Sequence, residues 1–107
     1  MPRYLIRANY TAEGTKGLVK GGGGSARRAA VQDMLRPVGG EIESFYYALG
    51  EDDVYVICSL PDNVTAAAVS LAVNAAGAVN LRTTVLLTPE EIDQAAKKSI
   101  GYRVPGS

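Results

Sequence analysis

Two arginines, an asparagine and two tyrosines are the residues of this 107-residue chain best suited to hold a ligand. Arg7 and Asn9 stand two apart in an alternating segment, so a strand points both to one face. Tyr47, Tyr55 and Arg82 lie in three further strand-like segments. In a suitable register all five line one cavity. Arg7 and Arg82 would then orient an acidic or polar group, and the tyrosines would supply walls and hydroxyls. The plainer use of these residues is pairing with Glu41, Glu43 or backbone carbonyls at the rim. A one-residue slip sends every member of a strand to the opposite face.

A second candidate is the glycine run at residues 20–25, which leads through Ser25 into a segment with Arg27 and Arg28. Free N–H groups at a helix start, with basic side chains nearby, suit a phosphate or carboxylate. The spacing matches neither a P-loop nor a dinucleotide fingerprint, and a flexible surface connection is the bland alternative. Phe45, Tyr46 and Tyr47 offer planes for stacking, although aromatics on strands more often serve core and interface. Glu51, Asp52 and Asp53 are expected to form a solvated turn and no metal loop, because consecutive acids on a hairpin do not converge. Asp53 is suited to an Asx-type turn onto its own backbone. Cys58, among Val56, Ile57 and Leu60, reads as a small buried hydrophobe with no base beside it.

Composition narrows the chemistry further. The chain has no histidine, which removes histidine-ligated zinc or haem and every Ser-His or Cys-His mechanism. One cysteine removes an intrachain disulfide and a thiolate cage. No cofactor and no metal is expected. Eleven Lys and Arg balance eleven Asp and Glu, which argues against nonspecific nucleic-acid or anionic-membrane partners. Residues 1–7 lack the apolar core of a signal peptide, and residues 64–79 are too few to span a bilayer. The expected location is the cytoplasm. Hydrophobic residues at 47% and charged residues at 21% fit one globular domain over 1–107, with a flexible connection at 20–25 and a tail at 100–107.

The elements that must position these residues follow from periodicity. Residues 4–10 alternate and read as a strand. Thr11 is a possible cap for a helix that Gly14 and Gly17 weaken. Ser25 caps a helical stretch over 26–35, ended by Pro37 and Gly39-Gly40. Strands follow at 41–49 and 54–60, joined by a turn at 50–53; the apolar run of the latter predicts a central strand buried on both faces. Asp62 or Asn63 caps an alanine-rich helix over 64–76, ended by Gly77. Residues 78–88 form the fourth strand, and Thr88-Pro89-Glu90-Glu91 starts a last helix over 89–99.

This order is an α+β, ferredoxin-like βαββαβ plan with an extra C-terminal helix. Right-handed crossovers give an antiparallel sheet of order 4-1-3-2, with the helices on one face. Apolar residues are expected on both faces of the strands. The bare face would then exceed what a monomer exposes, so the protein is expected to be a homo-oligomer, at least a dimer, with sheets face to face.

Residues 43–56 (ESFYYALGEDDVYV), with Pro61-Asp62 after the third strand, resemble the signature of the GYD-domain family. So do residues 4–11 (YLIRANYT), Leu81-Arg82-Thr83-Thr84, and Thr88-Pro89-Glu90-Glu91. The resemblance spans about residues 3 to 98. It departs at the Gly-x-Tyr-Asp turn for which the family is named: Gly50 and Asp53 match, and Asp52 replaces the tyrosine. The resemblance implies a ferredoxin-like domain similar to the dimeric α+β barrels, a group of monooxygenases, haem-handling enzymes and binding modules, and it implies no reaction. The expected function is a small-molecule-binding or accessory module that takes a planar or anionic metabolite. The alternatives are a cofactor-free oxygenase or isomerase, working through a carboxylate or tyrosinate, and a structural assembly unit.

Overall fold

Alternation along four short strands sorts the side chains of this chain onto two unlike faces. The computed structural model describes residues 1–106; Ser107 of the expected tail lies outside them. The elements are β1 (Arg3–Tyr10), α1 (Ala12–Lys20), α2 (Gly24–Leu35), a 3-10 turn (Arg36–Val38), β2 (Glu41–Tyr47), β3 (Val54–Ser59), α3 (Asn63–Ala76), β4 (Val79–Leu86) and α4 (Pro89–Ala96). They form one antiparallel sheet of order β2-β3-β1-β4, the expected 4-1-3-2 order read from the other edge. The fold is α+β and ferredoxin-like, with an added C-terminal helix.

Tyr4, Ile6 and Ala8 of β1 join Val54, Val56 and Cys58 of β3 in a core closed by Leu35, Leu60, Ala66 and Val69 from the helical layer and its connections. Tyr4 is fully buried, and its hydroxyl donates to Asn63 Oδ1 at 2.6 Å, tying the first residue of α3 to the sheet. Burial, with the nearby Asp62 charge, raises the pKa of that hydroxyl. The Asp62 side chain caps α3 by accepting from the Thr65 N–H at 2.7 Å, and this bond holds its carboxyl below the ordinary range.

Both edge strands have a backbone group occupied by a helix side chain. On β2, the Ile42 N–H donates to Gln32 Oε1 at 3.0 Å. On β4, the Asn74 amide accepts from the Leu81 N–H at 2.8 Å and donates to its carbonyl at 3.2 Å, as a neighbouring strand would.

Several expectations need correction. α1 is a complete helix despite Gly14 and Gly17, capped by the Thr11 hydroxyl, which accepts from the Gly14 N–H. Gly14 is a packing residue: a Cβ there would stand 1.9 Å from the Ala78 carbonyl oxygen. The glycine break is confined to residues 21–23, with Gly22 and Gly23 at φ 97° and 83°, a left-handed turn that glycine makes without steric cost. Helix α2 therefore starts at Gly24, and Gly23, not Ser25, is its cap.

Strand β3 is central yet buried on one face only, because the helices cover a single side and leave Tyr55 37% exposed. That open face is less apolar than the composition of the strands implies. Antiparallel register gives it the aliphatic residues Leu5, Ile57 and Leu86 and the tyrosines Tyr46 and Tyr55. Its other positions are Arg, Asn, Glu, Ser and Thr, because valine and most of the branched residues face the helices.

The C-terminal part departs from the body. Residues 89–106 are exposed at every position, and α4 ends at Ala96 rather than near Ser99. The molecule measures 59 × 32 × 23 Å with a radius of gyration of 17.1 Å, against about 13 Å for a compact domain of this length.

Candidate functional site

The register aligns one row across all four strands. On the open face, Tyr46 lies opposite Tyr55, Tyr55 opposite Arg7, and Arg7 opposite Arg82. Three of the five expected residues are neighbours in this row, and Asn9 stands two positions beyond Arg7 on the same face. Tyr47 does not join them. It pairs with Val54 and faces the helices, where its hydroxyl donates to the Gly24 carbonyl at 3.2 Å. A register shift in β2 between Ile42 and Ser44 sets which tyrosine faces which way. Tyr46, 70% exposed, takes the place expected for Tyr47. Adjacent aromatics therefore split between faces: Phe45 and Tyr47 make an edge contact on the helix side, with centroids 5.5 Å apart.

The residue that organises the row is Asp52. The turn at 50–53 is not wholly solvated, since Asp52 is 2% exposed and is the one buried charged side chain among the described residues. Asp53 places it. The Asp53 N–H donates to the Ala8 carbonyl at 2.9 Å, and its carboxylate accepts from the Tyr10 N–H at 2.9 Å. The Asp53 side chain thus binds across to β1, while its carbonyl closes the turn by accepting from the Ala48 N–H at 2.8 Å. These bonds strap the loop over the end of β1 and press Asp52 onto the open face. There Asp52 Oδ1 accepts from Arg82 Nη2 at 2.6 Å and from Asn9 Nδ2 at 3.1 Å. Arg7 Nη1 stands 4.0 Å from Oδ2.

Charge and exposure are unevenly shared. The Asp52 side chain is 3% exposed, Arg7 36% and Arg82 57%. Two guanidiniums against one carboxylate leave a unit positive charge at the site. Arg7 Nε is shut from solvent with no hydrogen-bond partner, a polar group whose burial costs free energy until an acceptor reaches it. Glu41 and Glu43 do not pair with Arg7 or Arg82: Glu43 binds Arg3, Nε to carboxylate, at 2.9 Å.

On the other face, the glycine turn opens into a cavity of about 290 Å³ lined by Gly14, Gly17, Gly21, Gly23, Tyr10 and Arg27, among others. Of the three residues of the expected anion site, Arg27 lines this cavity, while Ser25 and Arg28 are exposed outside its wall. The Tyr47 hydroxyl at the same end, with Tyr10 beside it, is pushed up to about 12, mainly by desolvation and against the pull of Arg27. Cys58, fully buried, is pushed up to about 11 by desolvation and, less, by Glu43. Among the described residues, no three His, Cys, Asp or Glu side chains cluster to hold a metal, and no helix is long and apolar enough to cross a membrane.

Sequence reasoning missed Asp52, which it placed in a solvated turn. The signal was present in charge balance. Two arginines paired across adjacent strands need a counter-charge, and the acidic turn joins the strand beside them. The GYD-domain family model matches residues 4–96. No curated protein and no solved structure shows a match.

Proposed function

The chain belongs to the GYD-domain family, and on that premise we propose that it is a small-molecule-binding module whose open sheet face takes a planar, anionic ligand. The observation that carries this reading is the excess of donors around Asp52. The Arg7 and Arg82 side chains are 36% and 57% exposed, and the two arginines together exceed the one acid. A carboxylate laid across Arg7 and Arg82 satisfies them in forked geometry. Tyr55 and Tyr46, next in the row, supply flat apolar walls. The module acts as a homo-oligomer whose open faces meet, which excludes water from the ligand and strengthens its charge contacts.

The oxygenase or isomerase alternative needs a free base. Asp52 already accepts from Arg82 and Asn9, and Tyr47, at about 12, keeps its proton. These observations favour binding over catalysis.

The test is thermal stabilisation by an aromatic carboxylate, compared with its neutral amide. Benzoate at millimolar concentration should raise the melting temperature and benzamide should not. Arg7→Ala and Arg82→Ala should each remove the response. No response across a panel of planar acids, or an equal response in both variants, would overturn the reading.

A further inference from the structure

We propose that residues 89–106 form an arm that clasps a second copy of this chain, its apolar side chains covering the partner's open sheet face. This deepens the homo-oligomer part of the reading above and rests on it.

Among six charged residues the arm carries four large apolar side chains that the single chain leaves exposed. Ile92, Ile100, Tyr102 and Val104 are 52%, 78%, 72% and 60% exposed. Large apolar side chains gathered on one projecting segment mark an association surface more than solvated tail. The accessible surface of the chain is 7367 Å², roughly 1,700 Å² above the ~5,700 Å² of a compact monomer of its mass. A stable interface needs only about 800 Å² from each partner, so the excess is sufficient.

The arm borders its own sheet only at its root and is exposed at every position from 89 to 106, in a molecule of 59 × 32 × 23 Å. Its direction is fixed at the root. Thr88 Oγ1 accepts from the Glu91 N–H at 3.1 Å, and the Glu91 carboxylate accepts from the Thr88 N–H at 2.9 Å. This capping box holds α4 in a set orientation just after β4. The helical part of the arm, residues 89–96, is ordered before docking and loses less freedom there. Beside that root lies a groove of about 300 Å³ with Ile57, Leu86, Leu87 and Pro89 on its walls. Ile57 and Leu86 belong to the open face. A two-fold axis passing beside this root would set each arm against the groove and the aliphatic patch of the other copy.

The experiment uses the full chain. Light scattering behind size exclusion at about 10 µM should give twice the 11.2 kDa of one chain. The double variant Ile100→Asp/Tyr102→Asp should raise the dimer Kd by at least about 30-fold. Those positions are exposed in the single chain, so its fold should be unchanged by circular dichroism. Ile57→Cys and Tyr102→Cys proteins, mixed and oxidised, should form a disulfide-linked heterodimer. A monomer at this concentration overturns both the clasp and the oligomer reading. A dimer that the double variant leaves intact, or an Ile57→Cys/Tyr102→Cys protein that links only within one chain, overturns the clasp and spares face-to-face pairing.

Discussion

Replacing Asp52 by alanine tests whether the row of charges on the open face is a coupled unit. The wild-type carboxylate is 3% exposed and accepts a 2.6 Å bond from Arg82. A net hydrogen bond to a charged group contributes about 1.5–3 kcal/mol, and the one from Asn9 adds about 1 kcal/mol or less at 3.1 Å. Two effects reduce the loss. The Arg82 side chain is 57% exposed and rehydrates once released, so its share is discounted as for surface pairs. Removing a buried carboxylate also removes its desolvation cost. Against this, Arg7 and Arg82 are left side by side without their counter-charge. The balance is a loss of about 2 kcal/mol, which for a domain of this size lowers the melting temperature by roughly 8–16 °C. Arg82→Ala should cost at least as much, because the Asp52 carboxylate stays enclosed while losing its shortest bond. The assay is urea unfolding of Asp52→Ala, Arg82→Ala and the double variant at one protein concentration, since self-association shifts apparent stability. A coupling energy of about 1–2 kcal/mol is expected. Asp52→Ala within about 0.5 kcal/mol of wild type, or strictly additive losses, would refute the reasoning.

Gly14→Ala and Gly17→Ala should act in opposite directions. The first sets a Cβ 1.9 Å from the Ala78 carbonyl and the second meets open space. Urea midpoints should show about 1–3 kcal/mol lost in one and up to about 1 kcal/mol gained in the other. Cys58, held at about 11, should resist a thiol-specific chromogenic reagent at pH 8 and react fully in denaturant. The folded chain binds that thiol proton more tightly than the unfolded chain does, so this contribution to stability is complete below the ordinary value of 9.0 and lost as pH rises through about 11. Base titration of the wild type against Cys58→Ser should reveal it as a difference in slope. Thr88→Ala should remove about 1 kcal/mol from α4 alone. Dimer mass should then fall at high dilution, while the urea midpoint, compared where wild type and variant are both monomeric, stays in place.

The elements were legible because their signals are local. The Thr88 capping box, the Asp62 cap and the alternation of residues 4–10 each depend on neighbours within four positions. Arg7, Asn9, Tyr55 and Arg82 were placeable because alternation alone fixes their face once the strands pair. Tyr47 failed for a non-local reason: the register shift near Glu43 depends on how β2 meets β3, and one residue of offset exchanges Tyr46 and Tyr47. Asp52 failed because a run of three acids looks solvated in isolation. Its burial follows from bonds of Asp53 to Ala8 and Tyr10, more than forty positions away. The apolar open face was overstated because composition counts a strand's residues without assigning them to sides.

The side-chain amides of Gln32 and Asn74 carry a consequence for how copies of this chain grow together. Each occupies a strand rim that would otherwise template another ribbon. Lateral stitching of sheets into an endless tape is thereby discouraged at Ile42 and Leu81, so an association of the kind proposed above would have to use the flat face and not the rims.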